Sequence, residues 1–139
     1  MEKYYSTRNT NDRVSFSTGV TRGLSPDGGL YVPESFTNID IYDEKYLKMS
    51  YQELAVDILS NFLDGYTKEE VTTFVSEAYG DNFETKDIVP VKTCDKVNFL
   101  ELFRGPTLAF KDMALQILPK FMVAAARKEG ITDEIVVLT

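Results

Sequence analysis

Two stretches of the chain repeat apolar residues every three or four positions, and each follows a sequence that can cap a helix. Ser50 and Glu53 have the S-x-x-E spacing of a capping box, and Thr67 and Glu70 repeat it. The apolar positions are Leu54, Ile58, Leu59, Phe62 and Leu63 in the first stretch and Val71, Phe74, Val75 and Ala78 in the second. This spacing predicts two amphipathic helices, the second ending at Gly80.

A longer helical pattern runs from Phe110 to Lys128 and stops at Gly130. Its inward positions are expected to be Met113, Ile117, Phe121, Met122 and Ala125. Pro119 lies inside the pattern and cannot donate a backbone hydrogen bond. The helix should therefore bend near residues 115–118.

The N-terminal region mixes short elements. Residues 4–7 and 30–32 favour strands, and residues 15–24 favour a short helix with Leu24 on its buried face. Residues 27–29 form an Asp-Gly-Gly turn sequence. We expect its glycines to serve the backbone conformation rather than to contact a ligand.

Strand-forming residues then define the fold class. Residues 88–92 and 97–102 predict a pair of strands, and residues 134–138 predict a further strand after the long helix. A strand, a helix and a second strand form a right-handed crossover in α/β proteins. We predict an α/β fold, with an α+β domain over residues 1–96 and the first βαβ unit of a parallel-sheet domain over residues 97–139.

Composition and charge narrow the functional classes. The net charge of −7 disfavours binding to nucleic acid phosphates and to anionic lipids. The sequence has no apolar run long enough to span a bilayer, and its first residues lack the apolar core of a secretory signal. We therefore expect a cytoplasmic protein that binds neither a membrane nor nucleic acid.

The scarcity of cysteine and histidine excludes several chemistries. Cys94 is the only cysteine and there is no histidine, which excludes an internal disulfide, a zinc site and a histidine general base. We expect no metal site. Acid and base chemistry must come from lysine, carboxylates, tyrosine or a cofactor.

Lys111 is the candidate catalytic residue, because it lies where a β-rich run ends and a helix begins. The run over residues 97–103 is broken at Gly105, and α/β enzymes commonly place chemistry at such junctions. The positive end of the helix dipole and the apolar neighbours Phe110 and Met113 disfavour a charged ammonium there. Only a neutral amine attacks a carbonyl, so this position suits a Schiff-base lysine.

Two motifs identify a family. Residues 101–112 read ELFRGPTLAFKD, and residues 20–33 read VTRGLSPDGGLYVP, preceded by YSTR at residues 5–8 and VSF at residues 14–16. The first motif resembles the lysine motif of the threonine synthase family, pyridoxal-phosphate enzymes of the tryptophan-synthase-β-like group. The others resemble the N-terminal signature of that family, and they occur in the family's order.

The resemblance implies that Lys111 binds pyridoxal 5'-phosphate and carries protons in converting O-phospho-L-homoserine and water to L-threonine and phosphate. It also implies that Phe110 packs near the cofactor or in the core. The resemblance also places Asp112 among the cofactor-binding residues, and this residue is expected either to orient the lysine or, more favourably, to cap the helix donors. The sequence leaves open whether the protein forms an oligomer.

Arg104 departs from the family pattern, which has a histidine at this position, and any role assigned there is in doubt. The resemblance also implies that ligands for the cofactor phosphate and ring nitrogen lie beyond Thr139. We therefore expect an N-terminal fragment that is inactive alone. The alternatives are another pyridoxal-phosphate lyase of this fold type, such as threonine dehydratase or cysteine synthase, and a non-catalytic binding or assembly module.

Overall fold

A computed structural model describes residues 3–136 of the chain. Its strands are β1 (Tyr4–Ser6), β2 (Arg13–Val14), β3 (Tyr31–Pro33), β4 (Val91–Cys94) and β5 (Val97–Leu100). Its helices are α1 (Phe16–Arg22), α2 (Tyr51–Leu59), α3 (Lys68–Ala78), α4 (Asp112–Leu115) and α5 (Leu118–Lys128), with a 3-10 turn at Tyr46–Lys48. The described residues form two compact units: those up to Ser35 with those from Phe121 onward, and residues 36–120. This mixture of helices and small sheets confirms the α/β class.

The first unit is built on a three-stranded antiparallel sheet in the order β2-β1-β3. Tyr4 of β1 lies opposite both Val14 and Pro33, so Pro33 occupies an edge strand, where its missing donor is tolerated. The ring of Phe16 packs edge-on against Phe121 at 5.6 Å between centroids. Ala125 is fully buried in the same unit.

Helix α1 forms within the predicted range 15–24 but ends two residues early, at Arg22. The Ser15 hydroxyl accepts a hydrogen bond from the Thr18 amide at 3.0 Å, and Gly23 closes the helix with a φ of 73°. The prediction for Leu24 is wrong: this residue lies beyond the last turn and is 59% exposed. The helix ends at Arg22 because Gly23 turns the chain away before Leu24 can join its buried face.

The second unit contains both predicted capped helices. In α2 the Glu53 amide donates to the Ser50 hydroxyl while the Ser50 amide donates to the Glu53 carboxylate, and Thr67 and Glu70 repeat both bonds at α3. The capping-box predictions are confirmed. The core of this unit contains Val56, Leu63, Val71, Val75, Ala78, Tyr79, Phe83, Ile88 and Ile117.

Strands β4 and β5 form the predicted hairpin with shifted bounds. They pair antiparallel from Val91 opposite Leu100 to Cys94 opposite Val97. Ile88, predicted to begin the strand, instead has a φ of 60° and is buried. A left-handed residue cannot continue an extended strand, so β4 starts later. Cys94 is a free, exposed thiol.

The long third helix is interrupted close to the predicted place. Helices α4 and α5 are separated at residues 116 and 117, because Pro119 cannot donate to the Leu115 carbonyl. Gly130 follows α5 with a φ of 69°, as expected for a helix stop. No helix among residues 3–136 is long and apolar enough to cross a bilayer.

The predicted strand at residues 134–138 falls partly outside the described residues. Residues 134–136 are not in a strand, so this part of the prediction is wrong. A strand depends on hydrogen bonds to a neighbour, and within the described chain β5 pairs only with β4. The described residues therefore do not form the expected crossover. The proposed division into domains at residue 96 stays a prediction.

Candidate active site around Lys111

The lysine-bearing segment is anchored before it reaches Lys111. Past the end of β5, the Glu101 amide donates to the Pro90 carbonyl at 3.0 Å, and the Arg104 carbonyl accepts from the Glu84 amide at 2.9 Å. These backbone bonds are made outside the hairpin ladder. They fix the start of the segment to residues far away in the sequence.

The Arg104 side chain strengthens the same anchor. Its Nε and Nη2 atoms donate to Glu101 Oε2 at 2.8 and 2.6 Å, and Nη1 donates to Glu84 Oε2 at 2.7 Å. The hydrogen bond to Glu84, followed by the one to Glu101, raises the pKa of Arg104. A guanidinium keeps its charge at every physiological pH, so this anchor does not titrate as a histidine would.

Asp112 is the most enclosed polar residue of the segment, with no exposed surface. One carboxylate oxygen accepts from the Thr107 amide at 2.9 Å, and the other accepts from the Thr107 hydroxyl at 2.8 Å. The expectation that Asp112 caps the donors of the following helix is wrong, because both oxygens face the preceding loop. The N-cap position of α4 is Lys111, which makes no side-chain capping bond.

Lys111 lies at the junction itself. Its carbonyl accepts from the Ala114 and Leu115 amides at 3.0 and 2.8 Å, which fixes its backbone in the first turn of α4. The side chain is exposed, and within residues 3–136 the structure records no ion pair or hydrogen bond to its Nζ atom. The expected apolar shielding by Phe110 is absent, because Phe110 is 65% exposed.

Two tyrosines stabilise the helical turn that follows Lys111. The Tyr79 hydroxyl donates to the Met113 carbonyl at 2.6 Å, and the Tyr51 ring meets the Tyr79 ring edge-on at 5.0 Å. Burial raises the pKa of both phenols. Both therefore remain neutral hydrogen-bond donors through the physiological pH range.

The N-terminal signature folds into a separate polar cluster within the first unit. Ser6 donates to the Asp27 carboxylate at 2.8 Å, and the Gly29 amide donates to the same carboxylate at 2.7 Å. Arg8 donates to the Asp27 carbonyl at 2.9 Å. A Cβ atom on Gly29 would collide with Ser6 Oγ, so this glycine permits the close packing of the cluster. Gly28 has a φ of 77°, a backbone conformation that favours glycine, in line with the predicted conformational role.

Two open clefts occur in the second unit besides a smaller apolar one of about 230 Å³, which is lined by Tyr51, Leu54, Ala55, Ile58, Leu59 and Tyr79. One, of about 400 Å³, is lined mainly by polar and charged residues between Thr37 and Lys68. The other, of about 510 Å³, is lined by residues between Ser50 and Ile88. Neither cleft includes Lys111, and the described residues contain no cluster of three metal-ligating side chains.

Sequence reasoning missed Thr107 and Tyr79 as supports of the lysine. Thr107 lies five residues before its partner, outside the three- or four-residue spacing of helix pairs. Tyr79 reaches Met113 across 34 residues of sequence. The position of Thr107 inside the lysine motif was the one signal that could have pointed to it.

The fold and this loop together define a mixed α/β protein that presents, where a loop becomes a helix, a lysine with no ion-pair partner among residues 3–136. Comparison with known proteins gives the particular family. The model of the family "Threonine synthase N terminus" matches residues 3–79, and the chain belongs to the threonine synthase family.

The relatives agree along nearly the whole chain. Threonine synthase of Methylobacillus glycogenes is 35% identical over 96% of the chain, and that of Corynebacterium glutamicum is 34% identical over 95%. A crystal structure of PLP-bound threonine synthase from Brucella melitensis superposes with a TM-score of 0.83 at 35% identity, covering 94% of the chain and 28% of that protein. The chain spans 30% of the Methylobacillus protein and 29% of the Corynebacterium protein.

Proposed function

We propose that this chain supplies the N-terminal region and the cofactor-binding lysine of a threonine synthase. The reaction is the conversion of O-phospho-L-homoserine and water to L-threonine and phosphate. The observation that carries the proposal is Lys111: a solvent-exposed amine in a family-specific motif, with its backbone fixed at the start of a helix.

The residues present fit a pyridoxal-phosphate aldehyde in one specific way. A Schiff base requires a primary amine that is not consumed by an ion pair, and the Lys111 Nζ atom meets this condition within the described residues. When bound, pyridoxal phosphate supplies a pyridinium ring that delocalises the electrons of a substrate carbanion.

Lys111 has two tasks in this proposal. Its Nζ atom holds the cofactor covalently until the substrate amine replaces it. The released amine, still tethered beside the substrate, then carries protons at Cα, Cβ and Cγ while the γ-phosphate leaves and water adds at Cβ.

Phe110 and Asp112 are the other residues assigned to cofactor binding from the sequence. We retain Phe110 as a cofactor neighbour, because its ring is exposed and directly precedes Lys111. Asp112 is enclosed, with both oxygens bonded to Thr107, and we propose that it supports the site from behind.

The rest of the catalytic apparatus is proposed to come from other parts of such an enzyme. The chain corresponds to 30% of the Methylobacillus relative, and the two described clefts do not enclose Lys111. We infer that the chain alone is inactive, and that the cofactor phosphate and ring nitrogen are bound by segments outside it. We expect the enzyme to act on a small-molecule substrate in the cytoplasm and to bind neither nucleic acid nor a membrane.

A chimaera tests the assignment. This chain replaces the matched segment of Methylobacillus threonine synthase, and the purified protein is incubated with pyridoxal phosphate and reduced with borohydride. Peptide mapping should place the adduct on Lys111, and the chimaera should release phosphate from O-phospho-L-homoserine. K111A should lose the adduct and turnover, whereas the exposed-lysine control K92A should keep both. An adduct on another lysine, or normal turnover by K111A, contradicts the proposal.

A further inference from the structure

The Asp112 side chain closes a short loop over residues 107–112, and Lys111 is the residue directly before Asp112 in this loop. Its two carboxylate oxygens bind the amide and the hydroxyl of Thr107 separately, so both ends of the segment 108–111 are held by one side chain. Lys111 is covalently adjacent to Asp112. The direction in which Lys111 leaves the backbone therefore depends on this closure.

The space for the Asp112 carboxylate is made by a glycine. A Cβ atom built on Gly105 would lie 2.6 Å from both the Cβ and the Oδ2 of Asp112. Gly105 is itself buried, and its carbonyl accepts from the Leu108 amide at 3.1 Å. The loop thus wraps closely around the carboxylate rather than merely lying beside it.

The loop also contains a strained backbone conformation that other contacts must stabilise. Leu108 has a φ of 58°, in the left-handed region that a leucine seldom adopts, and its side chain is 64% exposed. An exposed leucine has little packing of its own to hold such a conformation. The bonds from Thr107 to Asp112 on one side, and from the Asp112 amide to the Ala109 carbonyl at 3.0 Å on the other, supply that restraint.

We propose that Asp112 is a positioning residue for Lys111, acting through Thr107. This inference rests on the proposed function of Lys111 and adds to it how the amine is held. Loss of the closure should let residues 108–111 sample other conformations, so that Nζ meets the cofactor aldehyde less often in the reactive geometry.

The test uses the chimaera described above, with pyridoxal phosphate as the probe and borohydride-fixed adduct on Lys111 as the readout. T107V removes the hydroxyl while keeping the shape, D112N replaces one of the two accepting oxygens with an amide group that cannot accept, and T107S restores the hydroxyl. T72V, on the exposed face of α3, is the matched control. Thermal unfolding and hydrogen exchange of the peptide over residues 105–111 are measured on each variant.

We expect T107V and D112N to raise the pyridoxal-phosphate concentration for half-maximal labelling by about tenfold or more, with faster exchange over residues 105–111. T107S should return labelling to within about twofold of the parent, and T72V should not change it. A purely structural role would lower the unfolding temperature and leave labelling of the folded protein unchanged.

Two outcomes overturn the inference, and they can be distinguished. Folded T107V and D112N that label Lys111 at the parent concentration reject the positioning role and leave the function of Lys111 intact. A parent chimaera that labels a different lysine rejects the proposed function and this inference together. If D112N does not fold, T107V with its T107S rescue decides the matter.

Discussion

The Tyr79 hydroxyl donates to the Met113 carbonyl at 2.6 Å, which joins the end of α3 to the turn that follows Lys111. Tyr79 is only 5% exposed, so its hydroxyl cannot readily exchange this bond for one to water. The bond is therefore worth more to the fold than an exposed one, and its removal leaves a carbonyl without its donor.

Replacing Tyr79 with phenylalanine tests this bond. We expect Y79F to lower the free energy of unfolding by about 1–3 kcal/mol, because the Met113 carbonyl loses its buried donor while the ring is retained. Urea unfolding followed by circular dichroism measures the change. Y42F removes a hydroxyl from a tyrosine that is 86% exposed and should cost almost nothing. Equal losses in the two variants would contradict the assignment.

The same residue gives a dependence on alkaline pH. Burial raises the pKa of Tyr79 above its ordinary value of 10.0, so the folded state holds this proton more tightly than the unfolded chain. The corresponding stability is complete below pH about 10 and is lost as the pH rises toward the folded-state value. The urea concentration at the unfolding midpoint should therefore fall less between pH 8 and a pH above 10 in Y79F than in the parent. An identical alkaline loss in both would refute this linkage.

Two glycine-to-alanine substitutions should act in opposite directions. G105A forces a methyl group against Asp112 at 2.6 Å and should destabilise the chain by about 1–3 kcal/mol. G19A lies within α1, where the nearest atoms would be 3.7 Å away, and should stabilise by up to about 1 kcal/mol through helix propensity. Urea unfolding of both variants compares the signs directly. A harmless G105A would show that the loop yields easily around Asp112.

Asp27 predicts a dependence on acid pH. The hydrogen bond from the Gly29 amide, and then the one from Ser6, lowers the pKa of Asp27 below its ordinary value of 3.8. Its stabilising effect is present above pH about 4 and disappears as the pH falls through the folded-state value. D27N should therefore lose less stability than the parent between pH 5 and pH 2. Parallel pH profiles for D27N and the parent would argue against this role.

The two capping boxes should contribute similarly. S50A and T67A each remove the side-chain acceptor of a backbone amide at a helix start and should cost about 0.5–2 kcal/mol. S76A removes an exposed hydroxyl within α3 and is the control. Chemical unfolding monitored by circular dichroism measures all three. If S76A loses as much stability as T67A, the loss in T67A does not come from its position at the helix start, and the capping role is contradicted.

The sequence by itself determined the features that depend on residues three or four positions apart. Ser50 with Glu53 and Thr67 with Glu70 form capping boxes because such spacings bring side chain and backbone together in any helix start. The break before Pro119 follows equally directly, since proline lacks the donor that a continuous helix needs. The family motif around Lys111 could likewise be recognised from the sequence.

Only the tertiary structure decided what surrounds Lys111. Arg104 pairs with Glu84 and Tyr79 bonds to Met113, and in neither case does the separation in sequence carry a periodic signal. The burial of Asp112 likewise has no periodic signal in the sequence. The same holds for the ring of Phe110, which is exposed, whereas the sequence left open whether it packs near the cofactor or in the core. These contacts depend on where the chain returns after a turn, and that path is set by packing of the whole unit rather than by local hydrogen bonding.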